Sequence, residues 1–326
     1  MGGELLRKNI LQTLAYFDIF GYALTREEIC RYLYTTDPST SFGSTQDKSL
    51  RTSFVNTDFT DFLNQLAGFT NKDGFYFLLG REENVATRQR AVKWFEQKMK
   101  IARRAVKKLR WIPFLRAVFV CNTLSGAGLT EGSDIDVFVV VRKGRLWLAR
   151  FLATLALSVW GLRRTKRKIK DKVCLSFYVT DDSLNLSKIA LNNDIYLMYW
   201  LAQLIPLYDP DNLYLSVQRA NQWARQSLPN AFVPHELSER LRVSSGKISK
   251  FVKNLLEKMW GGAYGDLMEK QAKEAQKVRM KLNYMSVQNE PDTRVVVNDQ
   301  MLKFHENDRR SEYRDRWQEK CKLLNC

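Results

Sequence analysis

The sequence predicts an α+β chain, and three observations predict it. Amphipathic apolar patterns of helical period occupy both ends of the chain. A charged stretch without Gly or Pro runs from 82 to 110 between them. Two apolar runs, Ala117–Val120 and Ile135–Val141, bracket a turn of small residues containing Gly126, Gly128 and Gly132. At 326 residues the length suggests two or three domains, and 45% hydrophobic residues suffice for a sizeable core, which excludes wholesale disorder.

The first element is a helix over 4–17, with Leu5, Ile10, Leu11, Leu14 and Phe17 apolar, ended by the aromatic turn 17–22. Thr25 followed by Glu28 forms a capping box that opens a helix running to about Leu33. Residues 35–52, rich in Ser, Thr, Asp and Gly, read as a loop, and a short third helix follows at about 60–66. Asp73-Gly74 beside Phe75–Leu78 is a hairpin signal. Three helices and then a hairpin is the order of a winged helix-turn-helix, here over 1–80. Its candidate recognition helix carries Asp58, Asp61, Asn64 and Gln65 and no cation, which argues for packing or dimerisation over DNA reading. Residues 81–112 form a long basic linker helix, closed by Pro113.

The formal charge of +17 is concentrated. Residues 81–110 hold 11 Lys/Arg against 3 Glu, and residues 142–172 hold 11 against 1 Asp. Such segments attract phosphate polyanions, so nucleic acid or another polyanion is an expected partner, through Arg163, Arg164, Lys166, Arg167, Lys168 and Lys170 above all. The apolar run 146–162 contains Arg150 and is too short for a clean membrane span, so it reads as a buried amphipathic helix and no membrane partner is expected. Glu4, Arg7 and Lys8 interrupt the opening apolar residues, against a leader peptide. Five dispersed cysteines without Cys-x-x-Cys spacing argue against a disulfide framework or a zinc ribbon. With only His235 and His305, no His-rich metal site can form. The expected compartment is a reducing cytoplasm. No P-loop, Rossmann glycine motif or G-x-S-x-G elbow is found.

The chemistry lies in 113–210. Asp134 and Asp136 head the second apolar run, and residues two apart on a strand share a face. Two such carboxylates can hold Mg²⁺, and the preceding turn can offer backbone N–H groups to phosphate oxygens. The run Ser-Asp-Ile-Asp-Val-Phe-Val-Val at 133–140, behind a small-residue turn, resembles the signature of the nucleotidyltransferase superfamily with the polymerase-beta-like fold. The resemblance covers about 112–210. It implies a small mixed-sheet core, a winged-helix-like front and a helical C-terminal region, 211–326, as appendages. It also implies Mg²⁺ or Mn²⁺ on Asp134 and Asp136, and transfer of a nucleoside monophosphate from an NTP to an acceptor. Asn122, Thr123, Ser125 and Ser133 would hold the triphosphate. The Gly-Ser position of the signature falls on Asn122-Thr123, or with a shorter spacer on Ser125-Gly126.

The family's third carboxylate has no counterpart in the strand 173–179, and Asp171, Asp181, Asp182 and Asp194 are the candidates nearby. The alternative expectation is therefore a catalytically degenerate fold that binds a nucleotide or nucleic acid as a regulatory module. In the back half, helices are expected over 184–206, 211–226, 248–282 and 307–324, with a β-like run at Val295–Val297. Tyr196, Tyr199 and Trp200 read as core residues, and His305 as a surface histidine.

Overall fold

The computed structural model describes residues 2–36, 63, 66–124, 126–232, 241–282, 286–288 and 290–326; of Thr123 only the backbone is described. Ser125, the loop from 37 on, most of the helix expected at 60–66, and His235 lie outside the described residues.

The front of the chain comprises α1 (Gly2–Asp18), β1 (Leu24–Thr25), α2 (Arg26–Tyr32), β2 (Phe69–Lys72) and β3 (Phe75–Leu78). The capping box forms as expected: the Thr25 hydroxyl accepts from the Glu28 amide and the Glu28 carboxylate accepts from the Thr25 amide. Asp73 and Gly74 both take left-handed backbone conformations, φ 53° and 78°, which a two-residue hairpin of this hand requires. The hairpin and β1 make a three-stranded antiparallel sheet in the order β1-β3-β2. Helix α3 (Glu83–Leu109) follows, and it is not simply a solvated linker. Ala91, Lys98, Ala102, Ala105 and Leu109 lie buried along one side.

Strands β4 (Leu115–Val120), β5 (Ile135–Val141), β6 (Val173–Thr180), β7 (Ile205–Tyr208), β8 (Val295–Val297) and β9 (Met301–Phe304) form one mixed sheet. Its order is β7-β4-β5-β6-β9-β8, with β5 and β6 parallel and the other neighbours antiparallel. Two segments far apart in sequence thus complete one sheet: β8 is the β-like run expected at Val295–Val297, whereas β9 comes from a C-terminal region otherwise expected to be helical. Two apolar clusters fill its faces. Ile135, Val137, Val139 and Val141 join α3 and α4 (Leu146–Val159) on one face. Phe138 and Val140 join the front module, α5 (Ile195–Ala202) and α10 (Arg310–Leu323) on the other. The strict alternation along β5 is what puts Asp136 on the second face.

The remaining helices are α6 (Leu213–Ala220), α7 (Gln222–Ser227), α8 (Lys247–Met259) and α9 (Ala263–Lys281). The helix expected over 184–206 is much shorter. Asn193 adopts a left-handed conformation and Asp194 accepts from the Leu197 amide, so the helix can begin only at Ile195. Its expected end is instead β7, which pairs with β4. The helix expected at 211–226 is broken at Asn221, whose side chain bonds the Leu184 and Val217 carbonyls and the Leu186 amide. No described helix is long and apolar enough to cross a membrane.

Candidate functional site: a carboxylate–thiol cluster at the mouth of a cavity

Asp134 and Asp136 sit at the start of β5, where the strand leaves the small-residue turn. Their carboxylates and the Cys174 thiol come together, with one potential ligand atom from each lying within 4.8 Å of the others. Cys174 pairs with Asp136 across the parallel β5–β6 ladder. Between that pair and the next, Phe138 with Phe177, β6 contains one residue more than β5. Such a bulge resets the alternation of faces. Phe177 and Val179, not Tyr178, therefore share the Asp136 side with Cys174.

The turn before β5 is held from both ends. Asn122, at the position the signature would give to glycine, has φ 56°, a conformation Asn tolerates better than most residues. Its Oδ1 accepts from Trp200 Nε1 at 2.7 Å and from the Tyr196 hydroxyl at 3.3 Å. The Gly126 amide donates to the Asn122 carbonyl, and a Cβ on Gly126 would meet Gln203 Oε1 at 2.6 Å. Lys98, buried, donates from Nζ to the Ser133 and Glu131 carbonyls and to Asp171 Oδ1 at 2.7–2.9 Å. The Ser133 hydroxyl is bound to the Thr130 amide and hydroxyl, closing the turn on itself.

Beyond the carboxylates lies a cavity of about 470 Å³, within the range that small-molecule sites occupy. Asn122, Asp136, Arg164, Cys174 and Ser176 line one end. Phe177, Tyr196, Trp200 and Tyr313 form an aromatic wall, and the other end is Lys303 to Arg310. This last part was missed in the sequence. Strand β9 runs antiparallel to β6, with Phe177 opposite Lys303, and so delivers the 305–310 turn to the Ser176 end. His305, expected at the surface, lines the cavity instead, its Nε2 3.2 Å from Ser176 Oγ. The Phe-His-Glu-Asn-Asp-Arg-Arg run at 304–310 is visibly charged, but its place beside β6 depends on a long-range pairing, with Ser176 and His305 129 residues apart, and left no local signal.

Electrostatics sharpen the site. Burial and the neighbouring Asp134 raise the Asp136 carboxyl to about 6. Burial and Asp136 push the Cys174 thiol up to about 12. Burial, together with Lys303, lowers the His305 imidazole to about 3 and holds it neutral. The Arg164 guanidinium bridges the cluster, 3.1 Å from Asp134 Oδ2 and 3.4 Å from Cys174 Sγ.

Of the predicted site residues, Asn122, Asp134 and Asp136 converge here. Ser133 does not line the cavity; Thr123 lies beside Asn122 in a short 3₁₀ turn. The candidate third acids are engaged elsewhere. Asp171 pairs with Lys98, Asp181 accepts from the Lys143 amide, and Asp182 pairs with Lys143. Asp194 caps α5 and pairs with Arg310 in a buried network that includes Asp308 and Lys303. Opposite Asp136, where the third carboxylate was expected, stands Cys174. Mg²⁺ and Mn²⁺ favour oxygen donors, so a set of two carboxylates, a thiol and an adjacent guanidinium does not fit the ion that the resemblance implies. Comparisons with protein-family models, with curated proteins and with solved structures find no match for this chain.

Proposed function

We propose that this chain is a catalytically degenerate nucleotidyltransferase-like fold that binds a nucleotide in the cavity beside Asp136. The observation that carries this reading is the identity of the groups facing the two carboxylates. They are the Cys174 thiol and the Arg164 guanidinium, where transfer chemistry would need a further carboxylate to take the proton of the attacking hydroxyl. Asp171, Asp181, Asp182, Asp194 and Asp308 are each tied to a cation or an amide, and Glu306, which also lines the cavity, accepts from the Val287 amide. The cavity's composition supports the ligand class. Phe177, Trp200 and the Tyr196–Tyr313 stack, with centroids 5.3 Å apart, offer faces to a planar base. Arg164 and the half-exposed Arg309 offer charge to phosphate.

In this reading the β1-β3-β2 sheet with α1 and α2 is a winged-helix-like regulatory module. Its helix α1 rests on the C-terminal helix, with Trp317 Nε1 donating to the Gln12 carbonyl at 3.0 Å and Lys320 reaching Asp18 at 2.7 Å. Part of the positive charge serves the fold itself. Arg88 pairs with Glu28, Lys98 with Asp171 and Lys170 with Glu131. That reduces the basic surface left for nucleic acid.

One observation favours the transferase reading. His305, hydrogen-bonded to Ser176, brings an imidazole into the cavity, although burial makes it a weak base. The test joins two assays on the full chain. Equilibrium titration with each of the four NTPs measures binding, and α-phosphate-labelled NTPs in cell extract measure transfer. Binding without transfer supports the proposal. Transfer that disappears in Asp134→Ala/Asp136→Ala establishes the enzyme instead. Neither binding nor transfer leaves a likeness of fold alone.

A further inference from the structure

We infer that Asp134, Asp136 and Cys174 form a site for a thiophilic divalent cation, Zn²⁺ in preference to Mg²⁺. The inference goes beyond the nucleotide reading and does not need it. The three ligand atoms lie within 4.8 Å of one another, a spacing that a single ion can bridge with small side-chain adjustments. Two carboxylate oxygens and one sulfur are a donor set that Zn²⁺ accepts and Mg²⁺ does not. Three protein ligands leave a fourth tetrahedral position open, and here it would face the cavity.

A second observation concerns what now holds Asp134. Its Oδ2 is buried and makes no hydrogen bond. The nearest cation, Arg164, makes an ion pair with it at 3.1 Å without hydrogen-bond geometry. Its side chain is 42% exposed, so it can swing out to admit an ion. Binding releases the thiol proton to solvent as the sulfur becomes a thiolate ligand.

The test titrates the full chain with Co²⁺, a spectroscopic stand-in for Zn²⁺, and then competes with Zn²⁺ and Mg²⁺. The expected result is a thiolate-to-cobalt charge-transfer band that saturates near one equivalent. Zn²⁺ removes it stoichiometrically, and about a hundredfold excess of Mg²⁺ leaves it unchanged. Cys174→Ser loses the band and binds Zn²⁺ at least about 100-fold more weakly, the upper end of what losing a mere outer-shell partner costs. Asp134→Asn, which preserves shape, weakens Zn²⁺ binding while keeping the sulfur, and serves alone if the serine variant does not fold. Cys321 and Cys326, whose thiols pair with each other, are common to all these proteins and cancel in the comparison. The inference is overturned if the wild-type chain shows no such band, if the band persists in Cys174→Ser, if Asp134→Asn binds Zn²⁺ as tightly as wild type, or if Mg²⁺ competes at concentrations similar to Zn²⁺. Failure of NTP binding in the separate titration leaves it untouched.

Discussion

The Arg164 guanidinium lies 3.1 Å from the Asp134 carboxylate and within 3.4 Å of the Cys174 sulfur, so one basic-loop residue governs the charge of the cluster. It attracts anions into the cavity and repels cations from the ligand set. Arg164→Gln should therefore weaken nucleotide binding by about 10-fold, or ~1.4 kcal/mol, while tightening Zn²⁺ binding. Parallel nucleotide and metal titrations of the variant check this; changes in the same direction would refute the assigned role.

Lys98 ties α3 to the turn before β5. Its side chain is 1% exposed and it satisfies Asp171 and two carbonyls at once. Lys98→Met should cost about 3 kcal/mol or more, because it leaves a partly buried carboxylate without its cation. Asp171→Asn should cost less, since Lys98 keeps both carbonyls. Urea denaturation of the two variants measures the difference.

Asn122 combines a left-handed backbone with two accepted hydrogen bonds. Asn122→Gly loses the bonds and keeps the backbone freedom. Asn122→Ala loses both, and should be less stable than the glycine variant by about 1–2 kcal/mol. Thermal unfolding of the pair tests whether the conformation, and not the side chain alone, matters.

Two cavity groups give opposing pH dependences. Below its ordinary value of 6.5, His305 accepts a proton in the unfolded chain but not in the fold, where it titrates at about 3, so its contribution falls as pH drops. Asp136 titrates at about 6 in the fold against 3.8, so its contribution falls as pH rises between those values. Between pH 4 and 6 the two oppose each other. His305→Gln should unmask the Asp136 effect, with stability lower at pH 6 than at pH 4 by up to about 2–3 kcal/mol relative to wild type. Asp136→Asn should do the reverse and steepen acid loss. Denaturation curves at the two pH values decide it.

Much of the site's first half was legible in the chain. The period-two alternation of Ile135–Val141 identified both strand and face, because a buried strand must separate its two apolar surfaces. The Asp134–Asp136 pair stood out because acids heading so apolar a strand need partners. The Thr25–Glu28 box and the Asp73-Gly74 turn were legible because their hydrogen bonds and dihedrals are local. The helix expected over 184–206 begins only at Ile195 for an equally local reason, a left-handed Asn193 followed by a capping Asp194. The edge strand at Ile205–Tyr208 is a different case, since only a neighbour to pair with makes so short a segment a strand.

By itself, then, the sequence determined the α+β class, the strand that carries the two carboxylates, and the basic segments. The tertiary structure alone decided what those carboxylates face. The register of β6 against β5 set Cys174 opposite Asp136, a one-residue bulge beyond it turned Phe177 to the same side, and the antiparallel pairing of β9 with β6 brought His305, Arg309 and Arg310 from a distant part of the chain to the same cavity. Local patterns encode dihedrals and faces, whereas the company a side chain keeps depends on strand register and on which segments pair, and those are set by packing of the whole chain.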